Sequence, residues 1–123
     1  MYINGGIVSI KFFFVGVDSM YYVYMLGCGD GSIYTGITND VEKRIKAHRC
    51  GEGAKYTRGR GPLSLFSVWE MKTKSQACKV EYFIKKHTKK KKILFYTDEE
   101  YLVKLVNKEK GIDIKKLSEN EWK

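Results

Sequence analysis

The pattern of hydrophobic and polar positions along residues 21–38 predicts a β-hairpin. Residues 21–27 (YYVYMLG) and 32–38 (SIYTGIT) are rich in aromatic and β-branched side chains, which favour extended backbone. The Gly-Asp-Gly sequence at 29–31 lies between them and is typical of a three-residue hairpin loop whose last glycine is left-handed. We therefore expect two antiparallel strands joined by a tight turn.

The length of this turn decides which side chains share a face of the hairpin. A three-residue loop pairs Tyr24 with Gly36 and Leu26 with Tyr34, so Tyr24 and Tyr34 lie diagonally adjacent on one face. A two-residue turn would shift the pairing by one residue and place Tyr34 on the opposite face. A cluster of two phenols therefore depends on the longer loop.

Apolar side chains at helical spacing predict two helices, over residues 40–49 and 74–87. Each follows a capping-box pattern, in which two side chains three residues apart satisfy backbone amides: Asn39 with Glu42, and Thr73 with Gln76. Between the helices, residues 63–71 (LSLFSVWEM) are mostly apolar on both faces at their centre. This pattern predicts a third strand in the middle of a sheet.

The pattern weakens after residue 88. A run of four lysines leads into the apolar residues 93–96, and residues 97–100 supply the cap of a helix over 101–106. Residues 107–123 are polar with isolated Ile, Leu and Trp, which is compatible with a short docked helix or with a loosely ordered tail.

Size and composition indicate one globular domain with added termini. The chain has 123 residues, 43% hydrophobic and 30% charged. We expect a domain at 20–96, a helical extension or tail at 97–123, and a leading segment at 1–19. That segment is either an extra strand or precedes the true start at Met20. The apolar patch at 10–17 is too short to span a bilayer and lacks the features of a secretory signal.

Cysteine usage points to a reducing compartment. The spacing of Cys28, Cys50 and Cys78 matches neither a disulfide framework nor a zinc site. We expect three free thiols and a cytoplasmic protein, with no structural metal.

Positive charge is concentrated in the middle of the chain. The formal net charge is +9, and residues 21–96 hold sixteen Lys and Arg against six Asp and Glu, whereas 97–123 hold six against seven. The densest stretches are 43–60 and 85–92. Such stretches bind polyanions through phosphate contacts and counterion release, although a solvated basic face is the alternative interpretation. Residues 53–62, the basic loop, carry arginines suited to phosphate oxygens.

Candidate chemistry lies on both predicted helices. Arg44 and His48 are four residues apart and lie on one flank of the first helix. Glu81 lies on or beside the buried stripe of the second helix, where a carboxylate needs a partner. A surface ion pair with Lys85, one turn later, is the alternative role for Glu81.

Together these residues resemble the GIY-YIG nuclease pattern, over about residues 20–96. The resemblance is carried by five features: Tyr-Val-Tyr at 22–24, Tyr-Thr-Gly at 34–36, Arg44, His48 and Glu81. It is strongest to the short stand-alone bacterial members of that family. It implies an α+β fold, a small domain with a three-stranded, mainly antiparallel sheet flanked by helices.

The resemblance also implies a metal-dependent DNA endonuclease that acts in repair or on DNA structures. By this analogy, Tyr34 activates the attacking water, Arg44 holds the scissile phosphate, and Tyr24 and His48 orient them. Glu81 binds one divalent metal ion, Mg²⁺ or Mn²⁺. The chemistry agrees, because cations stabilise the charge that gathers on phosphate oxygens in the transition state.

The expected partner is DNA, branched or single-stranded, bound with low sequence preference because phosphate contacts do not read bases. The expected contacts are the following residues: Lys55, Tyr56, Thr57, Arg58, Arg60, Lys85 and Lys89. Two alternatives remain. One is a noncatalytic nucleic-acid-binding module of the same fold, and the other is an accessory protein that docks onto a protein partner through 97–123, with Leu117 and Trp122.

Overall fold

The structure, a computed structural model, describes residues 19–123, so the predicted leading segment up to residue 18 lies outside the described residues. Within these residues, ten elements follow one another: β1 (Tyr21–Gly27), β2 (Ile33–Thr38), α1 (Val41–Arg49), a 3₁₀ turn (Lys55–Thr57), β3 (Ser64–Met71), α2 (Lys74–Lys85), α3 (Lys89–Thr97), α4 (Tyr101–Lys110), β4 (Lys115–Leu117) and α5 (Glu119–Trp122).

The hairpin has the predicted register. Tyr24 pairs with Gly36 and Leu26 with Tyr34 across β1 and β2. The amide of Cys28 donates to the carbonyl of Ser32, which closes a three-residue loop, and the last loop residue, Gly31, has φ of 87°. The longer loop is therefore confirmed, and the two phenols lie on one face.

The sheet is antiparallel with strand order β2-β1-β3-β4, and β3 is central as predicted. The α+β class with an antiparallel sheet flanked by helices is confirmed, but the sheet has four strands rather than three. The fourth strand comes from the polar tail. Gly111, with φ of 66°, reverses the chain after α4, and Ile112, Ile114 and Leu117 are then buried.

The cap of α1 differs from the prediction. The helix begins at Val41, and the carboxylate of Asp40, not the side chain of Asn39, accepts from the amide of Lys43 at 3.1 Å. The cap moves by one residue because Val41 must be buried at the start of the helix, and Asp is as good an N-cap as Asn. Glu42 therefore takes no part in a capping box with Asn39.

The cap of α2 is as predicted at its first residue, since the Thr73 hydroxyl accepts from the amide of Gln76 at 3.0 Å. The Gln76 side chain accepts from the amide of Lys72 instead of that of Thr73. The helix ends at Lys85, two residues before the predicted end. His87 lies beyond it, with its ring bonded to the carbonyl of Phe83.

Helix α3 was not predicted. It begins in the lysine run, where Thr88 caps the amide of Lys91 at 3.3 Å, and only Phe95 of this helix is fully buried. Lysines at the positive end of a helix are unfavourable, so the charge pattern gives no sign of it. Burial of Phe95 against α4 and the sheet stabilises the helix.

The core lies on both faces of the sheet. One face packs against α2, α3 and α4 and includes Val23, Met25 and Trp69. The other packs against α1 and includes Tyr24 and Leu26. Because side chains alternate along β1, the strand that fills both cores also points Tyr24 toward α1.

Within residues 19–123, no helix is both long enough and apolar enough to cross a bilayer. The three cysteines are free there: Cys28 is buried, and Cys50 and Cys78 are exposed.

Candidate active site

Tyr24 is the buried centre of the site. Its side chain is fully buried, and its hydroxyl lies 2.7 Å from Nε2 of His48 and 3.3 Å from Nε of Arg44. Burial raises the pKa of Tyr24 to about 12, against the opposing hydrogen bond from Arg44. The phenol is therefore protonated at neutral pH.

His48 is held by hydrogen bonds at both ring nitrogens. Nδ1 lies 2.8 Å from the Thr57 hydroxyl and 3.5 Å from the amide nitrogen of Ala54, and the Thr57 hydroxyl also donates to the carbonyl of Ala54 at 3.0 Å. Nε2 lies 2.7 Å from the hydroxyl of Tyr24, whose oxygen accepts from Arg44. Burial and the charge of Arg44 lower the pKa of His48, which keeps the imidazole neutral.

Two glycines make room for these rings. A Cβ on Gly36 would lie 2.6 Å from the hydroxyl of Tyr24 and 2.9 Å from Cε2 of Tyr34. A Cβ on Gly53 would lie 2.3 Å from Nδ1 of His48. The sequence identified Gly36 only as part of the Tyr-Thr-Gly motif and Gly53 only as a loop residue. The packing shows that a side chain at either position would clash with the site.

Tyr34 lies beside Tyr24 and is half-buried. Its ring centroid is 6.2 Å from that of Tyr24, 5.3 Å from that of His48 and 5.7 Å from that of Tyr56. The ammonium of Lys85 lies 5.8 Å from the same ring. The structure thus brings the two predicted tyrosines and the predicted histidine into one cluster.

Arg44 lies at the edge of this cluster. Its hydrogen bond to Tyr24 raises the pKa of the guanidinium, which stays charged. An open groove of about 380 Å³ runs from Arg44 past Asn39 to Lys74, the first residue of α2. Lys74 is a second cation beside the site that sequence reasoning missed, because its position depends on where α2 meets the end of β2.

Glu81 faces the same cluster from α2. Its carboxylate lies 3.3 Å from Nζ of Lys85, so the ion pair considered as an alternative is present, and the Glu81 side chain is 24% exposed. The same ammonium lies 5.8 Å from the centroid of the Tyr34 ring, so Lys85 lies between Glu81 and the tyrosine cluster.

The donor set fits a single hard cation. Mg²⁺ in nucleic-acid-processing sites is commonly held by one or two carboxylates plus substrate phosphate and water. Glu81 offers one partly exposed carboxylate. Residues 19–123 contain no group of three or more His, Cys, Asp and Glu side chains arranged to hold an ion. Glu81 could therefore serve as a protein ligand of a metal shared with substrate.

The predicted nucleic-acid contacts separate into two groups. Lys55, Arg58 and Lys85 are exposed. Lys89 is exposed too, but its ammonium donates to the carbonyl of Gly31 at 2.7 Å.

The remaining three predicted contacts, all in the basic loop, bind other residues of the protein. Arg60 forms an ion pair with Asp30, and Tyr56 stacks on Tyr34. Thr57 is buried, and its hydroxyl is used by His48 and Ala54. The structure thus gives Thr57 an internal contact in place of the expected one with nucleic acid.

The antiparallel α+β architecture agrees with the resemblance to the GIY-YIG family. The family model described as the GIY-YIG catalytic domain matches residues 20–93. The chain belongs to the GIY-YIG family.

Within that family the chain is similar to UPF0213 proteins. It is 53% identical over 72 residues to one from Halalkalibacterium halodurans, covering 58% of this chain and 77% of the relative. It is 48% identical over 95 residues to one from Clostridium perfringens, covering 77% of this chain and 100% of the relative. The solution NMR structure of a UPF0213 protein from Bacillus halodurans has 50% identity and a TM-score of 0.42, covering 62% and 81% of the two chains.

Proposed function

We propose that this protein is a cytoplasmic, metal-dependent endonuclease that hydrolyses phosphodiester bonds in DNA with low sequence preference. The observation that carries the proposal is the convergence of two tyrosines, one arginine and one histidine with Glu81. Family membership supports nuclease chemistry in general. The basic surface supports an anionic polymer as substrate.

Arg44 is the proposed phosphate-binding group. With Nε bonded to Tyr24, its Nη donors remain to bind the oxygens of the scissile phosphate. A guanidinium fixed in this way requires little reorganisation when charge develops in the transition state.

Tyr34 is the proposed group that activates the attacking water. A phenol with a pKa of about 12 is almost wholly protonated at neutral pH, so Tyr24 is unsuited to accept a proton from water. Tyr34 is only half-buried and is therefore reached by solvent. The Tyr24 hydroxyl instead bonds to His48 and accepts from Arg44, which fixes the geometry around the water and the phosphate.

Glu81 is the proposed ligand of one Mg²⁺ or Mn²⁺, which when bound would supply positive charge to the phosphate and leaving oxygens. Exposed Lys55 and Arg58 would bind flanking phosphates, and Lys74 would do so on the other side of Arg44. These contacts recognise backbone, which supports a preference for DNA shape over sequence.

Replacing Glu81 with glutamine tests the proposal directly. Supercoiled, single-stranded and branched DNA are incubated with the wild type, Glu81→Gln and the exposed control Glu109→Gln, with Mg²⁺ or Mn²⁺. We expect cleavage by the wild type and the control, and a loss of at least about 100-fold in Glu81→Gln, because neutralising the carboxylate removes the metal ligand. Binding of DNA by Glu81→Gln should persist.

Two results would count against this assignment. Equal cleavage by the wild type and Glu81→Gln would remove the metal role of Glu81. No cleavage by any variant, together with DNA binding that weakens steeply as salt increases, would instead indicate a noncatalytic binding module.

Replacing Thr57 with valine should disturb His48 without removing any group that contacts substrate. Valine keeps the shape but removes the hydroxyl that contacts Nδ1, which leaves a buried ring nitrogen without this partner at a cost of about 1–3 kcal/mol in the free energy of unfolding. The ring that contacts Tyr24 is then held less firmly, so we expect cleavage to fall by about tenfold. Thr57→Ser retains the hydroxyl and is the control.

The pH dependence gives a second measurement on His48. Because its pKa is lowered from the usual 6.5 in the folded protein, His48 is protonated only at more acidic pH, and the protonated ring can no longer accept a hydrogen bond at either nitrogen. Cleavage by the wild type should therefore decline on the acid side below pH 6.5. The same protonation should reduce the free energy of unfolding there, since the unfolded chain binds this proton more readily.

Wild-type cleavage rate and wild-type stability in Thr57→Val would contradict the proposed dependence of cleavage on the contact between Thr57 and His48.

A further inference from the structure

The ring of Tyr34 is covered by a residue of the basic loop. The ring of Tyr56 stacks on it, with centroids 5.7 Å apart and planes inclined by 29°. Cζ of Arg60 lies 4.6 Å from the centroid of the Tyr56 ring, which is a cation–π contact. Tyr34, Tyr56 and Arg60 thus form a continuous chain of contacts that leads away from the site.

The far end of this chain is fixed by the hairpin turn. The guanidinium of Arg60 pairs with the carboxylate of Asp30, and the amide of Gly29 donates to the carbonyl of Arg60 at 2.6 Å. Hydrogen bonds from Ser32, together with Arg60, lower the pKa of Asp30 to about 2, so the carboxylate is ionised. A Cβ on Gly29 would lie 2.3 Å from the carbonyl oxygen of Gly61, so the turn and the loop meet backbone to backbone.

The same loop reaches the site at a second point. The Thr57 hydroxyl lies 2.8 Å from Nδ1 of His48 and donates to the carbonyl of Ala54. Adjacent residues of one short segment therefore contact two candidate catalytic groups, Tyr56 on Tyr34 and Thr57 on His48. A loop whose only role was to bind phosphate would not need either contact.

We propose that Tyr56 is a positioning residue that holds the Tyr34 ring in its cleavage geometry, and that the Asp30–Arg60 ion pair of the hairpin turn holds Tyr56 in place. The proposal rests on the proposed function of Tyr34. Tyr56 and Arg60 then act within the protein and are not primary contacts with DNA, and Asp30 acts by holding Arg60.

The two roles differ in the kinetic constant that they affect. A residue that orients a catalytic group changes kcat and leaves substrate affinity unchanged, whereas a residue that binds DNA changes KM or Kd. Loss of a stacked aromatic contact should lower the fraction of correctly oriented Tyr34 by about 3- to 10-fold. An exposed ion pair contributes less, so loss of Asp30 should have an effect of about threefold or smaller.

The test compares Tyr56→Leu, Tyr56→Phe, Asp30→Asn and the double variant with wild type. Tyr82→Leu is the matched control, because Tyr82 is a tyrosine on α2 that is 70% exposed. Steady-state cleavage gives kcat and KM on the DNA that the wild type cuts. In parallel, NMR spectra of protein labelled with ¹³C in its tyrosine rings, without DNA, report the Tyr34 ring, assigned with Tyr34→Phe.

We expect Tyr56→Leu to lower kcat about 3- to 10-fold with KM within twofold, and to weaken the NOEs between the Tyr34 ring and the rings of Tyr24 and His48, which lie 6.2 and 5.3 Å from it. Tyr56→Phe keeps the stacked ring and should retain kcat within about twofold, and Tyr82→Leu should match wild type in both measurements. Asp30→Asn should add little to Tyr56→Leu in the double variant, since both act through one chain of contacts.

A rise in KM with unchanged kcat in Tyr56→Leu would overturn the proposal and identify Tyr56 as a DNA contact. Unchanged NOEs from the Tyr34 ring to Tyr24 and His48 in Tyr56→Leu would overturn it as well. If the wild type cleaves no DNA, the proposed function fails, and these NOEs alone decide whether Tyr56 positions Tyr34. The two failures are therefore distinguishable.

Discussion

Replacing Arg44 with alanine is expected to lower the rate of DNA cleavage by about 10²–10³-fold. This is the usual loss when a fixed donor to a developing oxyanion is removed. The guanidinium is charged and is oriented by its bond to the buried hydroxyl of Tyr24, so its loss removes both charge and geometry. Single-turnover cleavage at saturating protein measures this effect apart from DNA affinity.

Arg44→Lys distinguishes the two contributions. Lysine keeps the positive charge but lacks the planar fork and the Nε donor to Tyr24, so we expect a loss of at least about tenfold. Arg49→Ala, an exposed position in the last turn of the same helix, is the control and should cleave normally. Cleavage by Arg44→Ala within threefold of wild type would show that Arg44 does not bind the scissile phosphate.

Replacing Gly36 with alanine should damage the site through packing alone. The added Cβ would meet the hydroxyl and Cζ of Tyr24 at 2.6 and 2.7 Å and a ring carbon of Tyr34 at 2.9 Å. These distances are far below van der Waals contact, so both rings must move. Overpacking of this kind typically costs about 1–3 kcal/mol of stability. A displacement of catalytic groups by about 1 Å can reduce rates by about 100-fold, which is the loss that we expect.

The measurement for Gly36→Ala combines urea unfolding with cleavage assays under conditions where the variant is folded. Gly61→Ala is the control, because a Cβ there meets nothing within 4 Å and its φ lies outside the left-handed range. If folded Gly36→Ala cleaves at the wild-type rate despite lower stability, the geometry of the two phenols is not what cleavage depends on.

The local sequence was sufficient to predict the hairpin and its register. Gly-Asp-Gly specifies the three-residue loop, because glycine adopts the positive φ seen at Gly31 at little cost. Alternation along β1 then fixes the face on which Tyr24 lies. The register of Tyr24 with Gly36 and the proximity of Tyr34 follow from these two facts.

The position of the basic loop could not be predicted in the same way. Composition identified residues 53–62 as exposed and cationic, which holds for Lys55 and Arg58. The ion pair that fixes Arg60 joins it to Asp30, thirty residues earlier, and no local pattern records such a partner. The burial of Thr57 against His48 likewise depends on how the loop folds back over α1.

The structure of the C-terminal region could not be predicted from local sequence either. Isolated apolar residues in a polar segment do not distinguish a tail from an edge strand, because a three-residue strand such as β4 is stabilised by its pairing with β3 and has little preference of its own. Leu117, considered as a docking residue for a partner, is buried in the protein's own core. Helix α3 similarly depends on the burial of Phe95.

By itself, the sequence determined the hairpin, the central strand β3, the helices α1, α2 and α4, and most of the side chains that could carry out chemistry, because periodicity and turn residues act over a few neighbouring positions. Only the tertiary structure decided which of those side chains meet. Glu81, 47 residues beyond Tyr34, is linked to the tyrosine cluster through Lys85, and His48 contacts both Tyr24 and Thr57. Contacts between distant segments depend on the packing of the whole core, which no short stretch of sequence encodes.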